Sequence, residues 1–136
     1  MDIDAARAFI AEHHRAVIAT YRSEGGLQMS PVAVTADGDG YAVVSSRETA
    51  MKVANLRRDP RVSLCCFTND WYGKWIRIDG RAEVISLPDA LEPLVDYYRR
   101  AAGEHPDWDE YRQAMVDERR VLVRITIDEV GPTSSG

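Results

Sequence analysis

The sequence has few of the residues that build disulfide frameworks or metal sites. It contains two cysteines and three histidines, and His13, His14 and His105 lack the spacing of a metal-binding motif. Cys65 and Cys66 are adjacent, and neighbouring residues of a strand point to opposite faces. They cannot share a zinc ion, and a disulfide between them would be strained. We interpret them as small residues that fill a core and an interface, and we predict no metal site.

Long apolar runs and basic stretches are also missing. No segment approaches the roughly 20 apolar residues that a membrane span needs, so no membrane partner is predicted. The net charge is −5, and the arginine pairs at 57/58, 99/100 and 119/120 lie among acidic residues, which argues against nucleic acid as a partner. The chain starts with acidic residues that lead into an amphipathic helix rather than a signal peptide, so we expect a cytoplasmic location.

What the chain does have is the composition of an ordinary globular protein. Of its 136 residues, 45% are hydrophobic and 29% are charged. A chain of this length can bury a core without disulfides or metal. We therefore expect one domain spanning residues 1–136.

Apolar periodicity predicts a mainly β protein with peripheral helices, of the α+β class. The clearest strand covers residues 75–84, where apolar residues alternate and Gly80 marks a bend or bulge. The predicted strands are 17–21, 28–35, 41–44, 62–67, 75–84 and 121–127. The predicted helices are 2–14, with Asp2 as N-cap, 48–58, 88–100 and 106–118.

These strands follow one another without regular strand–helix alternation, which favours an antiparallel six-stranded barrel. The last strand should turn the following residues inward: Val121, Val123, Ile125 and Ile127. Tyr41, Trp75 and Leu122 are predicted on the outside, where apolar residues suggest that a second copy covers them. We therefore expect a homodimer.

The segment between the third and fourth strands is the candidate binding site. Ser45 and Glu48 have the spacing of a capping box, which predicts a helix N-terminus there. Unpaired N–H groups and the helix dipole attract anions, and Arg47 and Lys52 add positive charge. The alternative is an ordinary surface helix with a Glu48/Lys52 ion pair four residues apart.

Four stretches make the chain similar to the pyridoxamine 5'-phosphate oxidase-like split-barrel superfamily, and more closely to its actinobacterial deazaflavin branch, which uses coenzyme F420. They are the hairpin at 16–32, the segment 45–60, the strand 75–84 and the helical stretch 98–115. Together they place the resemblance over residues 5–131. It implies an FMN-binding-like split β-barrel that forms a homodimer, with the cofactor in a groove between the two protomers.

The resemblance also implies which residues bind the cofactor. They are Lys52, Ser45, Ser46, Asn55, Gln28, Ser30, Val32 and Trp75. By position, the lysine contacts the phosphate, aided by both serines and the asparagine. The residues of the second strand line the tricyclic ring, and the tryptophan is offered by the partner subunit.

Two positions depart from the family pattern. Many relatives carry a basic residue two positions before the lysine, where this chain has Ala50, and Arg47 is the candidate to compensate. An aromatic residue is expected two positions before the central strand's tryptophan, where this chain has Gly73. Trp71 or Tyr72 could fill that space from the loop, and with Trp75 they would edge a groove suited to a flat conjugated molecule.

The implied reaction is hydride transfer from C5 of reduced F420 to an electron-poor carbon of a small conjugated substrate. The cofactor supplies the reactivity, and we name no catalytic residue because no side chain is an evident general acid. Three alternatives stay open. FMN would use the same phosphate site, a carrier would bind the cofactor without turnover, and a cofactor-free dimer would serve as an interaction module.

Overall fold

Six antiparallel strands close into a barrel in the computed structural model, which describes residues 2–70 and 72–132. The strands are β1 (Arg15–Tyr21), β2 (Leu27–Ala36), β3 (Ala42–Arg47), β4 (Arg61–Phe67), β5 (Trp75–Ile85) and β6 (Arg120–Gly131). Their order around the barrel is β1-β2-β3-β6-β5-β4, and β4 pairs back with β1. The predicted fold class is confirmed.

Four helices accompany the barrel in the described part of the chain. They are α1 (Ile3–Glu12), α2 (Met51–Arg58), α3 (Leu91–Ala102) and α4 (Trp108–Asp117). None of these described helices has the length and apolar character needed to cross a membrane. Asp2 is the N-cap of α1, as predicted, and its Oδ1 accepts a hydrogen bond from the Ala5 N–H at 2.7 Å.

The barrel interior follows the predicted alternation. Ile76 and Ile78 of β5 are fully buried, and the four predicted inward residues of β6 are buried as well. The register between β5 and β6 shifts at Asp79/Gly80, so the predicted bulge is confirmed. A Cβ atom at Gly80 would collide with the carbonyl oxygen of Thr126, which explains why glycine occupies this position.

The prediction that a second copy covers Leu122 and Tyr41 is wrong. Leu122 is only 3% exposed because α3 and α4 fold over this side of the barrel and bury it against Leu94 and Met115. Tyr41 packs against the same cluster. The chain's own helices therefore cover these outward positions, whereas Trp75 stays exposed.

The predicted capping box is also wrong. Ser45 belongs to β3, and α2 starts only at Met51, after Ala50, whose methyl group cannot accept a hydrogen bond. Pairing with β6 extends β3 as far as Arg47, and this ladder outweighs the local capping signal. Glu48 forms its ion pair with Arg57, at 2.8 Å, instead of the alternative pair with Lys52.

Candidate functional site

β2 and β3 separate beyond a short ladder, and we call the gap between them the groove. Their ladder has three residue pairs and ends at Val34↔Val44. Beyond that point, within the described strands, β2 residues 27–33 pair with β1 and β3 residues 45–47 pair with β6. The two strands are therefore not paired with each other towards the N-terminal end of β2.

Pro31 gives a chemical reason for this separation. The Val34 N–H donates to the His14 carbonyl on the β1 side at 2.9 Å, while the Asp37 N–H donates to the Tyr41 carbonyl on the β3 side at 3.0 Å. Odd-numbered residues of β2 therefore direct their backbone groups towards β3. Pro31 is one of them, and it has no N–H to donate to a ladder.

One side of β2 forms a wall of the groove. Gln28, Ser30 and Val32 share the face of the fully buried Val34, yet all three are half-buried because β3 has moved away. The Gln28 side-chain oxygen accepts a hydrogen bond from Arg22 at 3.2 Å. The structure thus brings the three predicted ring-lining residues together, and their contact with a cofactor stays a prediction.

Positive charge accumulates at the end of β3 and the start of α2. Arg47 and Arg120 are directly opposite in the β3–β6 ladder, and both pair with Glu118, at 3.7 and 2.9 Å. Lys52 is half-buried in the first turn of α2; burial, and then the charge of Arg120, lower its pKa. We call Arg47, Lys52 and Arg120 the cationic cluster; Arg47 and Arg120 share one carboxylate, and Lys52 is close enough to Arg120 to feel its charge. Like charges placed opposite each other are unfavourable, so the cluster is suited to an anion.

Sequence reasoning missed Arg120. Its pairing with Arg47 spans more than half of the chain and depends on β6 lying beside β3. The only sequence signal was the basic pair at 119/120 at the start of a strand, which does not indicate its partner.

The two serines of β3 have different surroundings. Ser45 is half-buried at the point where β2 and β3 separate. Ser46 is buried, and its hydroxyl donates to the Arg47 carbonyl at 3.2 Å. Of the two, only Ser45 is partly exposed.

Asn55 lies beneath α2. It is 1% exposed, its Nδ2 donates to the Thr20 hydroxyl at 3.1 Å, and its Oδ1 accepts from Arg58 at 2.9 Å. Both ends of the amide are therefore used within the chain. The side chain joins α2 to β1, which positions the helix that carries Lys52.

Trp75 does not border the groove of its own chain, because β1 and β4 separate β5 from β2. It is 41% exposed at the start of β5. Leu27 and Met29 of β2 are 51% and 60% exposed. They alternate along the strand with the residues of the groove wall, so their side chains lie on the outside of the barrel. We call Leu27, Met29, exposed Cys65 of β4 and Trp75 the apolar outer face.

The loop before β5 contributes one described aromatic residue. Tyr72 is 95% exposed, while Trp71 lies outside the described residues. Of the predicted aromatic edge the structure describes Tyr72 and Trp75, and it does not place Trp75 at the groove of its own chain.

The cysteines show no arrangement for metal chemistry. Cys66 is buried in the core, where burial raises the pKa of its thiol to about 12, and Cys65 is exposed. Across the residues that the structure describes, no group of three or more histidine, cysteine, aspartate or glutamate side chains could hold a metal ion.

Comparison with known proteins identifies relatives of this fold. Residues 3–134 match the family model described as pyridoxamine 5'-phosphate oxidase. The conserved hypothetical protein Rv2991 from Mycobacterium tuberculosis is similar, with a TM-score of 0.77 and 25% sequence identity, over 100% of this chain and 92% of that chain. A structure named F420 reductase has a TM-score of 0.70 and 16% identity, over 92% of this chain and 94% of that chain. A heme-binding protein from Mycobacterium smegmatis has a TM-score of 0.70 and 18% identity, over 94% of this chain and 52% of that chain. At 16% and 18% identity the likeness concerns the fold alone.

Proposed function

Since the chain belongs to the pyridoxamine 5'-phosphate oxidase family, we propose that it is an F420-dependent reductase acting on a conjugated small molecule. The observation that carries this proposal is the cationic cluster at the end of β3 and the start of α2, together with the half-buried wall of β2. A site with three cations and one carboxylate fits a cofactor that brings its own phosphate.

The cationic cluster would hold the phosphate. Lys52 is partly desolvated and close to Arg120, and both effects lower its pKa, so a bound anion would relieve an unfavourable charge. Glu48, the other carboxylate in this segment, is paired with Arg57 at 2.8 Å. Ser45 would add a partly exposed hydroxyl next to Arg47, whereas Ser46 and Asn55 are buried and support β3 and α2.

The wall of β2 would hold the ring. Gln28 and Ser30 offer hydrogen-bonding side chains, and Val32 offers an apolar contact that excludes water from one ring face. When bound, reduced F420 supplies the hydride. The chain's own residues bind, orient and shield, and none of them is proposed to transfer a proton.

A second copy of the chain would complete the site. The apolar outer face is an exposed hydrophobic surface on one side of the barrel, and a partner would remove it from water. We propose that the chains dimerise through this face and that the Trp75 of each copy reaches the groove of the other. Met29→Glu would place a charge at its most exposed apolar position. We expect this variant to sediment as a monomer and to bind F420 at least tenfold more weakly; a dimer of unchanged stability would contradict the assignment.

FMN is the alternative cofactor, because the cationic cluster recognises a phosphate whichever ring it carries. The similarity of residues 56–60 and 103–115 to the deazaflavin branch, together with the fold shared with an F420 reductase, supports F420. Binding without turnover would make the protein a carrier, and binding of neither cofactor would leave an interaction module.

Lys52→Met tests the proposed site. Arg100→Met is the matched control, because it also removes one positive charge, from an exposed pair with Asp96 at 2.8 Å near the β2–β3 turn. We expect Lys52→Met to bind oxidised F420 at least tenfold more weakly, since a charge-assisted contact contributes about 1.5–3 kcal/mol. The control should stay within twofold of wild type. Equal affinity of Lys52→Met and wild type would contradict the phosphate site.

A further inference from the structure

Tyr97 of α3 occupies the point where β2 and β3 separate. Its hydroxyl donates a hydrogen bond to the Ala33 carbonyl of β2 at 2.8 Å. The same oxygen accepts a hydrogen bond from the Ser45 backbone N–H of β3. One side chain from a helix therefore bridges two strands of the barrel.

The Tyr97 bridge takes the place of the next residue pair in the β2–β3 ladder. The last β2–β3 pair is Val34↔Val44, so Ala33 and Ser45 would form the following one. Odd-numbered residues of β2 direct their backbone groups towards β3, and Ala33 is one of them. In a continuous antiparallel ladder, the Ser45 N–H would donate directly to the Ala33 carbonyl. The Tyr97 hydroxyl instead lies between these two groups and satisfies both.

Packing holds the phenol ring in this place. Tyr97 is partly buried against the cluster of α3, α4 and the outer side of β3 and β6, which includes Leu94 and Tyr111. Burial raises the pKa of the Tyr97 hydroxyl, so it stays protonated and can donate at all physiological pH values. Pro31 follows at the next position that faces β3 and offers no N–H there. The separation therefore begins at Tyr97 and is not closed again further along β2.

We propose that Tyr97 is a positioning residue of the cofactor groove. Its hydroxyl sets the distance between the β2 wall, with Gln28 and Val32, and the end of β3, with Arg47. The inference rests on the proposed function, because it assigns Tyr97 the task of fixing the width of that same groove. The ring wall belongs to β2 and Arg47 ends β3, and the bridge joins these two strands. The bridge therefore fixes the distance between the two parts of the site that one ligand would have to contact.

Tyr97→Phe removes the hydroxyl and keeps the ring. Tyr98→Phe is the matched control, since it removes a hydroxyl from the next residue of the same helix, whose ring packs against Tyr111 and Trp108. We expect Tyr97→Phe to bind oxidised F420 about tenfold more weakly. FMN affinity should fall by the same factor, because the groove width acts on either ring. Tyr98→Phe should bind as wild type does.

Amide hydrogen exchange tests the bridge itself, without a cofactor. In Tyr97→Phe, the Ser45 amide should exchange at least tenfold faster, whereas the Val43 amide, inside the intact ladder, should keep its rate. If Tyr97→Phe does not fold, 4-aminophenylalanine at position 97, which keeps a donor and a lone pair, replaces it as the variant. It should bind F420 within threefold of wild type, and a tenfold loss would overturn the inference.

The outcomes separate the two proposals. If wild type binds F420 and Tyr97→Phe binds it equally well, the positioning role is overturned and the proposed function stands. An unchanged Ser45 exchange rate also overturns it, because the bridge is then absent in solution. If wild type binds neither F420 nor FMN, the proposed function fails, and the positioning role fails with it.

Discussion

Asn55→Ala removes a buried amide that joins helix α2 to strand β1. The Asn55 Nδ2 donates to the Thr20 hydroxyl at 3.1 Å, and its Oδ1 accepts from Arg58 at 2.9 Å. Thr20 is fully buried, so water cannot replace the lost donor. Arg58 is exposed and keeps its bond to the Tyr21 carbonyl at 2.9 Å, so its guanidinium regains water easily.

The size of the effect follows from these contacts. Removal of the amide leaves the buried Thr20 hydroxyl unsatisfied, which costs about 1–3 kcal/mol, and the lost packing of the buried Asn55 side chain adds about 1 kcal/mol. The Arg58 contribution is small because that group is solvated. We expect the free energy of unfolding to fall by about 2–4 kcal/mol, which corresponds to a melting temperature roughly 10 °C lower.

A double-mutant cycle isolates the contact. Thr20→Val alone leaves the Asn55 amide without its hydrogen-bond acceptor, whereas the double variant removes both partners. The double variant should therefore lose about 1 kcal/mol less free energy of unfolding than the two single variants lose together. Urea unfolding followed by circular dichroism gives the three free energies. Asn69→Ala is the control, because Asn69 is exposed and accepts a hydrogen bond from Arg15 at 2.6 Å.

A loss below 1 kcal/mol for Asn55→Ala, or strictly additive costs, would refute the reasoning. The amide would then not be held beneath α2. Its side chain could serve a phosphate directly, which is the role that the sequence resemblance implied.

Three further predictions concern the barrel, its helical cover and the cationic cluster. Gly80→Ala should lower the free energy of unfolding by about 3 kcal/mol in urea, because its Cβ meets the Thr126 carbonyl; a neutral effect would contradict the bulge. Leu122→Ala should cost about 2–5 kcal/mol in the same assay, and a loss below 1 kcal/mol would mean that α3 and α4 do not cover it. The pKa of Lys52 in the free protein lies below its ordinary 10.5, and a bound phosphate should raise this pKa. The affinity for F420 should therefore be highest at pH values below the pKa of the free protein, and it should fall as the pH rises through that pKa. F420 titrations at a series of pH values should show no such pH dependence for Lys52→Met. If the affinity of the wild-type protein does not depend on pH either, Lys52 is excluded as the phosphate ligand.

The parts of the fold that were predictable depend on local, repeated patterns. The alternation in β5 extends over ten residues, and Gly80 interrupts it at the position where the register shifts. Asp2 caps α1 through a bond to a residue three positions away. Such features depend on neighbours in the chain, so the sequence alone is sufficient to indicate them.

The missed parts depend on contacts between distant segments. The motif from Ser45 to Glu48 suits a helix cap, but pairing with β6 makes its first three residues part of a strand. Leu122 alternates as an outward residue should, and only the docking of α3 and α4 buries it. Arg120 and Tyr97 join the candidate site through pairings with β3 that no local pattern encodes. Lys52 was predicted as a phosphate ligand because its segment resembles that of known relatives, and this role stays a prediction.

Titration of the wild-type protein with oxidised F420 and, separately, with FMN, followed by tryptophan fluorescence, tests the central proposal most directly. We expect F420 to quench the fluorescence with a dissociation constant at least tenfold below that of FMN, and a Lys52→Met variant to lose most of that affinity. Preferential binding of FMN, or binding of neither cofactor, would contradict an F420-dependent reductase.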